Sequence, residues 1–147
     1  MHELNKFLEF ASDRKLKTLI VGETALACNS LVSGYNHWTV YTDEILMDKV
    51  PLGIITFEFY HCHDGKYLKE IYPNVYLPSP ERAIIDTIIW QDENGTEGFL
   101  IEALQSYQEK GHKVSDLYEC AEHYLVPHEV VDYWWKEALE DTDMSMG

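Results

Sequence analysis

The chain has 147 residues, of which 46% are hydrophobic and 13% aromatic, so it can bury a core, and its composition excludes an intrinsically disordered protein. Its 26 acidic and 11 basic side chains give a formal net charge of −15. That charge disfavours direct binding to a nucleic-acid backbone, because such affinity comes from Lys and Arg. No apolar run is long enough to span a bilayer and no secretory signal is evident. We therefore expect one cytoplasmic domain over 1–147.

The first half of the chain alternates between helical and strand-like patterns. A predicted first helix ends near Asp13, because apolar residues recur before it at helical spacing: Leu4, Phe7, Leu8 and Ala11. The segment 16–21 is either a short strand or the lead into a helix that begins near Glu23 and ends at Gly34. β-branched and aromatic residues then predict strands over 38–42, 53–60, 67–71 and 75–77.

From Ser79 onward the pattern becomes helical. We predict a helix over 80–91, a loop over 92–95, and a second helix that Thr96 caps and Gly111 ends. Ser115 is predicted to cap a third helix, and Pro127 to open the last one. The acidic end, 140–147, is expected to fray. These patterns predict an α+β fold with a mixed or antiparallel sheet in the N-terminal half, flanking helices, and a helical C-terminal half.

The segment 79–86 is the clearest helix start in the chain. Ser79 is suited to cap free backbone amides, Pro80 to occupy the first helical position, and Glu81 to face the positive end of the helix dipole. Arg82 and Asp86 are one turn apart and are therefore placed to form an ion pair. We expect this pair to hold the helix against the sheet, with no part in catalysis.

This segment and the strand before it resemble a motif of AbiEi-like antitoxins of type IV toxin–antitoxin systems, Val-x-Val-x-Ser-Pro-Glu-Arg-Thr followed by two hydrophobic residues and Asp. Upstream, the stretch that contains Gly22, Ala25 and Leu26 is similar to a second family helix. The resemblance covers roughly 16–107 and implies the antitoxicity domain of that family. Family members commonly begin with a winged-helix DNA-binding domain, which we do not expect here, so the resemblance does not imply operator binding.

One short cluster, His61-Cys62-His63-Asp64, has the residue types of a metal site. On a continuous strand His61 and His63 would face the same side. Zinc needs four ligands, or three and a water, so this cluster supplies half a site. We expect a turn here, with no metal and no cofactor.

The segment 21–26 also resembles the Gly-Gly-Thr-Ala-Leu helix start of minimal nucleotidyltransferases, in which paired carboxylates on the next strand hold Mg²⁺. Here the candidate acids, Asp43 and Glu44, are adjacent, so on a strand they would point in opposite directions. Glu23 replaces the second glycine and would bring negative charge towards a triphosphate. These departures argue against catalysis, and a degenerate nucleotidyltransferase-like enzyme is our second alternative.

The three consecutive aromatic residues 133–135 cannot all face one core. They form either a core helix with one partly exposed ring or part of an aromatic surface for a partner. The candidate partner-binding residues are Trp134, Trp135, Glu137, Glu140 and Asp141. Because an acidic surface suits a basic partner, we expect a non-enzymatic interaction protein that opposes a nucleotidyltransferase-type toxin or another basic nucleic-acid-handling protein. The first alternative is a phage-encoded acidic inhibitor of a bacterial defence nuclease.

Overall fold

The computed structural model describes residues 2–33, 38–42, 54–58, 65–94 and 97–146. Its first half contains, in chain order, α1 (His2–Asp13), β1 (Thr18–Ile20), α2 (Gly22–Cys28), β2 (Trp38–Thr42), β3 (Ile54–Glu58), β4 (Leu68–Tyr72) and β5 (Val75–Pro78). Its second half contains α3 (Pro80–Asn94), α4 (Glu97–Glu109), α5 (Ser115–His123) and α6 (His128–Met146). The predicted α+β class is confirmed: among the described residues, all strands precede α3 and the elements that follow are helices.

The five described strands form one mixed sheet in the order β3-β2-β1-β5-β4. β1 lies at its centre, antiparallel to β2 and parallel to β5, and all three of its residues are buried. Side chains alternate between the two faces of the sheet, as the strand period requires. Ile20, Val40 and Val75 join the main core, whereas Leu19 and Tyr41 join a smaller cluster.

The helices form two layers beside the sheet. α1, α2 and α3 contact the strands, α4 and α5 pack against α3, and α6 packs against α4 and α5. The main core continues through both layers, from Phe7 of α1 to Ala138 of α6. Two side chains of α4 bind the backbone of α6, because Gln105 donates to the carbonyl oxygen of Ala138 (3.2 Å) and Gln108 to that of Trp135 (3.1 Å).

Four helices end in the same hydrogen-bonded motif. After α1, α2, α4 and α5, one residue turns into the left-handed region and the next amide donates to a carbonyl oxygen five residues back. This is the Schellman motif, which satisfies the last carbonyl groups of a helix. The left-handed residues, with their φ angles, are Lys15 (59°), Ser30 (61°), Gly111 (89°) and Leu125 (60°).

Several predicted boundaries were wrong. α2 ends at Cys28, six residues before Gly34, because the chain turns at Ser30. α3 continues to Asn94, through most of the predicted loop. Ser115 makes no capping hydrogen bond at α5; instead Asp116 accepts one from the Lys113 amide (2.7 Å). α6 extends to Met146, and the fraying expected for 140–147 stays a prediction.

Candidate functional site

The predicted cap of α3 is confirmed, and it ties the helix to the sheet. The Ser79 hydroxyl accepts a hydrogen bond from the Arg82 amide (3.1 Å), which satisfies one of the free amides of the first turn. The Ser79 amide in turn donates to the carbonyl oxygen of Tyr67 (2.8 Å), one residue before β4. The start of α3 is therefore fixed from both sides.

Arg82 is the buried charge of this junction, with only 3% of its surface exposed. Its Nη1 donates to the carbonyl oxygen of Lys66 (2.8 Å), and its Nε lies 3.5 Å from Asp86 Oδ2, so the predicted pair is present. Its guanidinium carbon also lies 5.4 Å from the centre of the Tyr124 ring. Arg82 thus joins α3 to the segment before β4 and to the end of α5.

Glu81 is bound within the helical layer. Its Oε2 accepts a hydrogen bond from the hydroxyl of Tyr107 (2.8 Å), a fully buried residue of α4. The Tyr107 ring stacks on His112, with centroids 4.2 Å apart. Burial, together with the bond to Glu81, raises the pKa of the Tyr107 hydroxyl. Glu81 therefore connects α3 with α4, beyond any effect on the helix dipole.

The two segments that resemble the antitoxin family meet in the structure. Gly22 begins α2 with a φ of +58°, a left-handed conformation that glycine adopts without strain. Ala25 and Leu26 are buried in the main core. At the end of α2, the Asn29 side chain donates to the carbonyl oxygen of Pro78 (3.0 Å), next to the α3 cap. The residues of α2 that carry the resemblance therefore have structural roles, in the turn that begins the helix and in the core.

α6 separates the three consecutive aromatic residues. Trp134 is 7% exposed and belongs to the core, so its side chain is not available to a partner. Trp135 is half-buried and meets the Tyr107 ring edge-on, whereas Tyr133 is 56% exposed. Of the two alternatives for these three residues, a core helix with one exposed ring describes α6, and Tyr133 carries that ring. A role of Trp134 and Trp135 in partner binding stays a prediction.

The acidic candidates on α6 have different environments. Glu140 is exposed and its Oε1 lies 3.8 Å from Lys136 Nζ, while Glu137 is half-buried. Asp141 is placed within the helix.

Leu125, which lies in the turn between α5 and α6, was not singled out in the sequence analysis.

The exposed apolar side chains concentrate in this part of the molecule. We define the α5–α6 surface as the exposed side chains of residues 115–140. Of the five large exposed hydrophobic side chains among the described residues, four belong to it: Leu125, Val130, Tyr133 and Leu139. The same stretch contains seven acidic residues and a single Lys or Arg, Lys136. The acids are Asp116, Glu119, Glu122, Glu129, Asp132, Glu137 and Glu140.

Side chains hold α5 and α6 in a fixed arrangement. His128 Nε2 lies 2.9 Å from Glu122 Oε1, across the turn. The Tyr118 ring stacks on the His128 ring, with centroids 4.0 Å apart, and its hydroxyl donates to Asp132. These contacts fix the turn and the start of α6 against α5.

Two sets of candidates lie outside the described residues: the acids Asp43 and Glu44, and the cluster 61–64. Within the described ranges, no three His, Cys, Asp or Glu side chains are grouped so that they could hold a metal ion. In the same ranges, no helix combines the length and apolarity needed to cross a membrane.

Comparison with protein-family models gives no match for this chain, and a search of curated proteins also gives none.

Proposed function

We propose that the protein is a non-enzymatic interaction module that binds a basic protein through the α5–α6 surface. The observation that supports this proposal is the composition of that surface, where seven acidic residues and a single Lys or Arg share one stretch of chain with four exposed apolar side chains. Opposite charge on a partner accelerates and orients the encounter, whereas a few residues that become buried on binding supply most of the affinity. A solubilising charge alone would not require Leu125 and Tyr133 among the acids.

The resemblance to AbiEi-like antitoxins suggests the biological form of this activity. The partner would be a nucleotidyltransferase-type toxin, whose substrate-binding groove must be basic to hold nucleic acid. The resemblance ends near residue 107, so the α5–α6 surface lies outside it. The matched residues would then supply the scaffold, and the last two helices would supply the contact with the toxin.

A co-expression experiment tests this function. Cells that are arrested by the nucleotidyltransferase-type toxin encoded nearest to this gene should resume growth when the chain is expressed. The triple variant Glu119→Lys, Glu129→Lys, Glu140→Lys should lose this protection, because it reverses charge on the α5–α6 surface. The matched control Glu9→Lys, Asp13→Lys, Glu109→Lys makes the same change in net charge at exposed positions elsewhere and should still protect. Equal behaviour of the two triples, or no protection by the wild type, would contradict the proposal.

A second measurement separates this proposal from the degenerate nucleotidyltransferase. The melting temperature is recorded with Mg²⁺ and each nucleoside triphosphate in turn, because a ligand that binds the folded state raises it. We expect no change with any nucleotide. A rise that grows with nucleotide concentration would favour the enzyme.

A further inference from the structure

Leu125 combines two unusual features, an exposed apolar side chain and a left-handed backbone conformation. Its side chain is 89% exposed, and its backbone has a φ of +60°, in the left-handed region where a side chain with a Cβ is strained. An apolar residue gains nothing from water, and a strained one destabilises the fold. A residue that combines both features supports a hypothesis of function.

The helix ends of the same molecule show that the turn does not require leucine. Leu125 donates from its amide to the carbonyl oxygen of Glu122 (3.2 Å), and Val126 to that of Ala121 (2.8 Å). Equivalent bonds close the other three Schellman motifs, where the left-handed residue is lysine, serine or glycine. The backbone of this turn would therefore accept glycine or a polar residue in place of leucine.

Contacts of the two neighbouring residues fix the backbone around Leu125. The preceding residue, Tyr124, faces inward, with its ring beside Arg82 and its hydroxyl 3.4 Å from the carbonyl oxygen of Lys66. The following residue, Val126, is buried in the core. The half-buried Tyr124 and the buried Val126 therefore flank a residue whose own side chain is exposed to solvent.

We infer that Leu125 is an anchor of the α5–α6 surface and inserts into an apolar pocket whose rim contains Lys or Arg. The inference rests on the proposed function and specifies the chemistry of its partner. The basic rim follows from charge complementarity, because Glu122, with 66% of its side chain exposed, and Glu129 flank the turn. A second copy of this chain would oppose acids to acids and is disfavoured.

The test uses substitutions that separate binding from folding. Leu125→Gly should raise the melting temperature by about 2–4 °C, because it removes the left-handed strain. Leu125→Asn is the second variant, because asparagine also adopts the left-handed conformation but gives a less flexible backbone than glycine does. Lys15→Gly is the matched control, since it makes the same change at the end of α1 and should be similarly stabilising.

The binding probe is a set of short peptides, selected from a random phage-displayed library for binding to the wild-type chain. We expect selected peptides that combine apolar residues with Lys or Arg. Both Leu125 variants should weaken their binding at least about tenfold, as truncation of an anchor does. Lys15→Gly should bind like the wild type. Loss of binding in a variant that is more stable cannot be attributed to unfolding.

The outcomes separate this inference from the proposed function. Peptides that bind both Leu125 variants as well as the wild type, that lack basic residues, or that cannot be selected at all would overturn the inference. Failure of the wild type to protect against the toxin would instead contradict the proposed function. A chain that protects cells equally well with Leu125→Gly retains its function but does not use this anchor.

Discussion

Arg82 and Leu125 are opposite exceptions to the usual distribution of residues between core and surface. Arg82 is charged and 3% exposed, whereas Leu125 is apolar and 89% exposed. Tyr124, beside Leu125 in the chain, contacts the Arg82 guanidinium, so one short turn joins the two exceptions. The buried charge has an explanation inside the molecule, because a backbone carbonyl, a carboxylate and an aromatic ring surround it.

The exposed leucine has no comparable explanation in the fold. Burying a charge is tolerated only when hydrogen bonds and an opposite charge replace the lost water. The strained backbone at Leu125 lowers the stability of the fold, and no contact of the exposed side chain with the described residues compensates for it. The comparison therefore separates residues that maintain the structure from those that are available to another molecule.

The largest effect is expected from breaking the buried junction. Arg82→Ala should lower the free energy of unfolding by about 3 kcal/mol, because it leaves Asp86 and the Lys66 carbonyl group without a cationic donor. Urea denaturation measures this change. The control is Lys136→Ala, which removes the cation of another pair at the same spacing but with 76% and 54% side-chain exposure; it should cost less than about 1 kcal/mol. Similar losses in both variants would mean that burial does not distinguish the pairs.

A smaller loss is expected at the second buried contact of α3. Tyr107→Phe removes the hydroxyl that donates to Glu81 and should lower the free energy of unfolding by about 2 kcal/mol, the usual range for bonds to charged groups. Tyr118→Phe provides the comparison, because the hydroxyl of Tyr118 donates to the exposed Asp132 and its loss should matter less. A larger loss for Tyr118→Phe would contradict the distinction between interior and surface.

Alkaline pH should weaken the interior while leaving the surface acids ionised. Burial raises the pKa of the Cys120 thiol to about 12 and that of Cys28 to about 11. The two thiols contribute fully to the free energy of unfolding below about pH 8.5, the pKa of a thiol in the unfolded chain. This contribution is lost as the pH rises towards the pKa values of the thiols in the folded protein. Stability should then fall by about 1 kcal/mol per pH unit for each thiol. Urea titrations at several pH values should give a shallower slope for Cys120→Ala; an unchanged slope would exclude this thiol as a cause.

The smallest change in stability is expected at the end of α4, where Gly111 occupies the same left-handed position as Leu125 at the end of α5. Gly111 has a φ of +89° and no heavy atom within 4 Å of an added Cβ. Gly111→Ala should therefore cost about 1 kcal/mol through backbone strain alone, the reverse of Leu125→Gly. Thermal melting of the two variants should show shifts of opposite sign. A gain in stability on Gly111→Ala would mean that the left-handed turn imposes no such strain.

Local chemistry explains which parts of the structure could be predicted. The start of α3 and the Arg82–Asp86 pair depend on residues within one helical turn, so the segment 79–86 was sufficient to predict both. Four of the five described strands were predicted from their residue types, whereas the sequence left the segment 16–21, which contains β1, as either a strand or the lead into α2. Helix ends were harder, because Leu125, Ser30 and Lys15 occupy a position where sequence rules expect glycine.

The amino-acid sequence by itself determined the α+β class, the strong negative charge and the buried motif at the start of α3. Only the tertiary structure decided that Trp134 faces the core and Tyr133 the solvent, that Tyr107 reaches Glu81, and that Leu125 is held outside. The physical reason is the distance along the chain between the residues that interact. Caps and ion pairs along a helix form between near neighbours, whereas the side of a helix that is buried depends on elements far away in the chain, such as α4 beneath α6.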